Sequence, residues 1–147
     1  CSGVAIEINE HLADKLSVQF QTWTVKRSDF LTCTVEELGL FDVIIMNPPF
    51  ENGADIKHIR HALQFLRPGG RLVAICANGP RQQAKLRDEL LGELCGSWED
   101  LPDGTFESSG TGVRTAMLVL RQDAAPLIEA TITPAEVVAV GQGSLFA

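Results

Sequence analysis

Short unbroken apolar runs alternate along this chain with segments whose apolar residues recur every three or four positions, and this alternation restricts the fold more than any other feature. Residues 4–8, 23–26, 41–46 ("FDVIIM") and 71–77 ("RLVAICA") read as strands. The last two are too continuously apolar to carry a wet face, the mark of a buried parallel strand. Between them lie the helical periods. Asn9 is placed to cap a segment in which Leu12, Leu16 and Phe20 recur, and "TVEEL" makes a short helical turn. "ADIKHIRHALQFL" sets Ile56, Ile59, Leu63 and Leu66 on one face, with "RPGG" as its stop. Leu86, Leu90, Leu91 and Leu94 mark a helix over 81–94. The rhythm then changes: "SWEDLP…GTF" and "VRTAMLVLR", joined by "ESSGTG", predict an antiparallel hairpin. Strands alternating with helices imply an α/β, Rossmann-like, mostly parallel sheet with helices on both faces, here closed by that hairpin. The expected division is a domain over 1–122 and a tail over 123–147. Such a layout fixes no chemistry.

Composition bounds the function. At 147 residues and 45% hydrophobic, the chain is one domain by length and can bury a real core. The formal charge of −7 repels phosphate backbones on average, so nucleic-acid binding needs a local basic patch or another domain. No run approaches the roughly 20 apolar residues of a membrane span, and no basic-then-apolar signal opens the chain. Cys1, Cys33, Cys76 and Cys95 lack close C-x-x-C pairing, which favours reduced, mostly buried thiols in a cytoplasmic protein and no metal site. "CSGVAIEIN" enters a strand within four residues and without an initiator methionine, so polypeptide is expected upstream.

The strand at 41–46 stops at Asn47-Pro48-Pro49-Phe50. Neither proline has an N–H for the ladder, and each holds its own φ near about −65°. Asn47, preceding a proline, is pushed toward extended geometry. An amide, a rigid carbonyl and a ring are thus held at the carboxyl edge of a strand, where open α/β sheets bind ligands.

With those four residues the sequence resembles the class I S-adenosylmethionine-dependent methyltransferases that modify amino groups, especially the N6-adenine DNA methyltransferases. Their signature is [Asn/Asp/Ser]-Pro-Pro-[Tyr/Phe/Trp] after the fourth strand of that fold. Flanking segments match in order: "VAIEIN" resembles the second strand with its terminal acid, "SDF" the acid–aromatic pair after the third, "LRPGGRLVAI" the junction into the fifth, and "LPDGTFESSGTGVRTAMLVL" the closing hairpin. The likeness covers residues 1–121. One departure stands out. The family opens with a strand and a Gly-rich loop that cradles the cofactor's methionine part, and nothing here precedes the second strand. That missing strand is central in the family's sheet, so two buried edges are expected to lack partners, at about 1–3 kcal/mol per unpaired backbone group.

The resemblance implies S-adenosylmethionine as cofactor and transfer of its methyl to an exocyclic amine. Asn47 and the Pro48 carbonyl would hold the amine's two hydrogens, Pro49 would stiffen that carbonyl, and Phe50 would stack on a flat target, with Phe106 on the same base. Glu7 and Ile8 would line the ribose, Asp29 would accept from the cofactor's adenine amino group, and Phe30 would lie against its ring. DNA is the implied substrate; RNA, a protein glutamine, or a non-catalytic fragment that only binds a partner are the alternatives. Blander roles stand beside these: "NPP" as a plain turn, Glu7 as a solvated acid, Asp29 as a cap, Phe106 as core. His58 and His61, three apart on a charged helix, suit a solvated face, as do Arg81, Lys85 and Arg87, unless these touch phosphate. Finally, "QGSLF" resembles the Gln-Leu-Ser/Asp-Leu-Phe peptide that docks on bacterial sliding clamps, with Leu145 and Phe146 as anchors and Gln142 leading, departing at Gly143.

Overall fold

β1 (Gly3–Glu7) and β2 (Trp23–Arg27) lie side by side and parallel, linked by α1 (Glu10–Gln19). Asn9 caps α1 as expected, accepting from the Leu12 N–H at 3.2 Å. A 3-10 turn (Phe30–Thr32) and α2 (Val35–Leu38) lead into β3 (Phe41–Asn47). α3 (Ala54–Ala62) and a 3-10 turn (Leu63–Phe65) then return the chain to β4 (Leu66–Ala77). The computed structural model describes residues 3–105, 112–123 and 137–141. Phe106, Gln142, Leu145 and Phe146 therefore lie outside the described residues.

Two expected helices differ in detail. The helix before β4 ends in 3-10 geometry, and "RPGG" falls within β4, where the pairing with β3 jumps from Phe41↔Leu66 to Val43↔Arg71. The helix expected over 81–94 is instead α4 (Pro80–Gln82), a π-helical stretch (Gln83–Asp88) and α5 (Leu90–Glu93). The hairpin forms as predicted: β5 (Cys95–Asp100) pairs antiparallel with β6 (Thr115–Arg121), Trp98 opposite Leu118.

Among the described residues seven strands make one sheet, in the order β2-β1-β7-β3-β4-β6-β5. β7 (Val137–Gly141) comes from the stretch expected to be a tail, yet it sits in the middle, parallel to both β1 and β3. The two inner edges expected to lack partners are thereby paired. An uninterrupted "VVAV" run finds there a place buried on both faces, which outweighs the loop-like composition around it.

The main core lies on one face, where Ile6, Ile44, Met46, Leu72, Leu118 and Val140 pack with Phe30, Ile59, Phe65 and Leu86. α1 covers the other face over β1 and β2, burying Leu12, Ala13 and Leu16. His58 and His61 do not form a solvated face. His58 is 4% exposed, and both rings pack on Phe30, at centroid distances of 6.3 and 5.0 Å. Their helix is turned so that the imidazoles complete an aromatic cluster with Phe65. Cys33 and Cys76 are buried free thiols and Cys95 is an exposed one.

Candidate active site

Glu7, Gly141 and Asn47 end three adjacent parallel strands in a single row, since Glu7 pairs with Gly141 and Gly141 with Asn47. The connection from β1 runs outward to β2 and that from β3 runs the opposite way to β4. This row is therefore the point where strand order diverges, the place at which open α/β sheets form a ligand crevice.

Asn47 is 6% exposed, and its Oδ1 is buried with no hydrogen-bond partner among the described residues. Leaving a buried acceptor unpaired costs about 1–3 kcal/mol, a cost that a ligand donor bound at this edge would remove. Pro48 is buried, while Pro49 and Phe50 are half-buried. Directly beyond, Asn52 (φ 53°) and Gly53 (φ 73°) take left-handed backbone, which turns the chain from the proline pair into α3.

That turn is bolted to the neighbouring loop by Asp55. Its fully buried carboxylate accepts from the Ala77 N–H at 3.0 Å, from Gln82 Nε2 at 3.1 Å and from the Ile56 N–H at 2.9 Å. The segments after β3 and after β4 are thus joined through buried hydrogen bonds. Arg81, exposed at the start of α4, lies against Gly53, where a Cβ would come within 3.3 Å of its Nη1.

The expected site residues are only partly brought together. Glu7 and Asn47 share the row, with Ile8 48% exposed beside Glu7. The Glu7 carboxylate is buried, not solvated, and its Oε1 accepts from the Asn9 N–H at 2.7 Å. Asp29 caps the 3-10 turn, accepting from the Leu31 N–H at 3.0 Å. Phe30 differs from expectation: it is 1% exposed in the aromatic cluster and has no ring face to offer at the edge. Lys85 and Arg87 are neutralised by Glu89 and Asp88 at 2.6 and 2.8 Å. Asp55 and Gln82 escaped sequence reasoning altogether. An acid in a first helical turn is unremarkable, favoured there by the helix dipole, and nothing in the sequence pairs it with an amide 27 residues on.

The family profile of the methyltransferase small domain matches residues 2–95, and the chain belongs to that family. In structure it is similar to a putative class I S-adenosylmethionine-dependent methyltransferase from Listeria monocytogenes (20% identity, TM-score 0.62, covering 98% of this chain and 50% of that one). It is also similar to a methyltransferase from Pyrococcus furiosus (16%, TM-score 0.59, 84% and 64%) and to the 23S rRNA methyltransferase ErmE (18%, TM-score 0.58, 86% and 55%). The chain thus spans about half of the Listeria structure's length and under two thirds of the other two. No curated protein matches it in sequence.

Proposed function

We propose that this chain is the catalytic part of an S-adenosylmethionine-dependent methyltransferase acting on an exocyclic amino group, with N6 of adenine in DNA as the favoured target. The observation that carries this is the buried Oδ1 of Asn47, without a hydrogen-bond partner among the described residues, at the diverging edge of the sheet. An exocyclic amine is a poor nucleophile because its lone pair is spread into the ring. Two acceptors, Asn47 Oδ1 and the Pro48 carbonyl, bind its two hydrogens, localise that pair and fix its line of attack. These are positioning and electrostatic effects, and they ask for no side chain of unusual acidity. Phe50 stacks on the flat target, which offsets part of the few kcal/mol needed to unstack a base. Arg81, beside Gly53, adds a cation where a phosphate backbone would run.

The edge fits the cofactor in two respects. Asn47 retains an acceptor with no partner among the described residues, and Gly141, between the two polar side chains in the row, carries no side chain to fill the space there. S-adenosylmethionine, when bound, supplies a methyl group on a sulfonium centre. Glu7, anchored by the Asn9 N–H, is assigned to the ribose hydroxyls with Ile8 beside it, and Asp29 to the adenine amino group.

RNA is the second substrate class, favoured by the likeness to ErmE, which is named as a 23S rRNA methyltransferase. Radiolabelled methyl transfer by the full-length protein to unmethylated DNA, RNA and a glutamine-bearing peptide separates the classes. The expected result is N6-methyladenine in DNA, with Asn47→Ala slowing transfer by about 10²-fold or more, as for other preorganised polar contacts. Undiminished transfer by Asn47→Ala, or label in none of the three, would overturn the assignment.

A further inference from the structure

The chain carries 12 Lys and Arg against 19 Asp and Glu, and most of its cations are cancelled by an acid within 4 Å. Lys15, Lys57, Arg71, Arg81 and Arg121 make no ion pair among the described residues. Arg71 and Arg121 face each other at the amino end of the β4 pairing, away from the Asn47 edge, and Lys15 lies on α1 over β1 and β2. The remaining two, Lys57 and Arg81, are exposed and stand together at Gly53, just beyond Phe50.

Arg81 lies so close to Gly53 that a Cβ there would come within 3.3 Å of its Nη1. Lys57 is one turn past Gly53 on the same side of α3, and helical side chains lean toward the amino end. The backbone beside Arg81 is held in place, since the buried Gln82 donates to Asp55, two residues from Gly53. Glu51, exposed on the same turn, makes no ion pair with either cation among the described residues. These charges also stand apart from the residues assigned to the cofactor. Glu7, Ile8 and Asp29 follow β1 and β2, whereas Gly53 and Arg81 follow β3 and β4, on the other side of Asn47.

We propose that Arg81 and Lys57 bind backbone phosphates of a substrate nucleic acid whose target base enters beside Asn47 and Phe50. This rests on the methyl-transfer assignment, which brings a base to that edge. A nucleotide drawn out of its stack carries its flanking phosphates to the rim of the pocket. A chain with a formal charge of −7 repels such a polymer on average, so attraction has to come from a place where cations are left uncancelled. Both contacts go to the backbone. They therefore position the strand and strengthen binding without reading its sequence.

The test is fluorescence anisotropy of the full-length protein with a labelled DNA duplex and with a labelled single-stranded RNA, across about 50–200 mM salt. S-adenosylhomocysteine is present so that no transfer occurs. Arg81→Gln with Lys57→Gln is expected to weaken binding to all sequences alike. It should also reduce the slope of log K against log salt by about 1.8 on the duplex, or about 1.4 on the single strand, two phosphates in either case. The charge-conserving pair Arg81→Lys with Lys57→Arg, and Lys15→Gln, should keep the wild-type slope. An unchanged slope in the double Gln variant would overturn the proposal. So would an equal fall in either control, or wild-type protein that binds neither polymer. Methyl transfer that persists while the slope stays put removes the phosphate pair alone. A reduced slope together with undiminished transfer by Asn47→Ala removes the methyl-transfer assignment alone.

Discussion

Asp55, at the start of α3, accepts a hydrogen bond from the backbone N–H of Ala77, at the end of β4, across 3.0 Å, and both residues are buried. A buried carboxylate without a cation survives only if N–H donors replace its hydration, and Ala77, Ile56 and Gln82 supply them. Asp55→Ala leaves the Ala77 and Gln82 donors unpaired and is expected to cost about 2–5 kcal/mol. Gln82→Ala is expected to cost about 1–3 kcal/mol. Urea unfolding of both variants and the double mutant checks this. Strictly additive losses would show that the two side chains do not act together.

Asn47 is expected to behave in the opposite way. Its Oδ1 has no partner among the described residues to lose, so Asn47→Ala should change stability by less than about 1 kcal/mol while methyl transfer falls steeply. Denaturation and transfer rates measured on the same preparation separate the two roles. A stability loss as large as that of Asp55→Ala would make Asn47 a structural residue.

Two glycines predict opposite signs. A Cβ on Gly96 would overlap the Val119 carbonyl across the β5–β6 pairing, so Gly96→Ala should destabilise by about 1–3 kcal/mol. Gly92 in α5 has open space around it, so Gly92→Ala should stabilise by about 0.5–1 kcal/mol. Thermal melts of the two variants should shift in opposite directions.

Burial, and to a lesser extent the nearby Asp55 carboxylate, push the Cys76 thiol up to about 12. An unfolded thiol titrates near about 8.5, so on raising the pH the unfolded chain gives up this proton first. The stabilisation carried by the protonated native thiol is complete below that value and is lost as pH climbs toward 12, with a slope approaching about 1.4 kcal/mol per unit. Denaturation from pH 8 to 10.5 should show this decline, and Cys76→Ala should flatten it. Parallel profiles would refute the linkage.

Much of the framework was legible without coordinates. The first four strands, the first helix with its Asn9 cap and the closing hairpin depend on local pattern, and these formed where that pattern lay. Phe30 and the two histidines misled for a common reason: an aromatic beside an acid, or imidazoles on a charged helix, read as edge or surface, but helix rotation buried them together. The π-helical stretch left no mark in a pattern that α-helix explains equally well.

Local chemistry decided by itself that β3 must end at Asn47, because two consecutive prolines forbid continuation whatever surrounds them. Which strand would lie beside it was decided only by tertiary structure. β7 is far away in the chain, and its place between β1 and β3 depends on which apolar surfaces remain to be covered once the rest has folded. The bond from Ala77 to Asp55 is likewise a product of assembly. Burial of an acid and its pairing with donors distant in sequence are properties of the packed whole, since water would serve each group equally well in the unfolded chain.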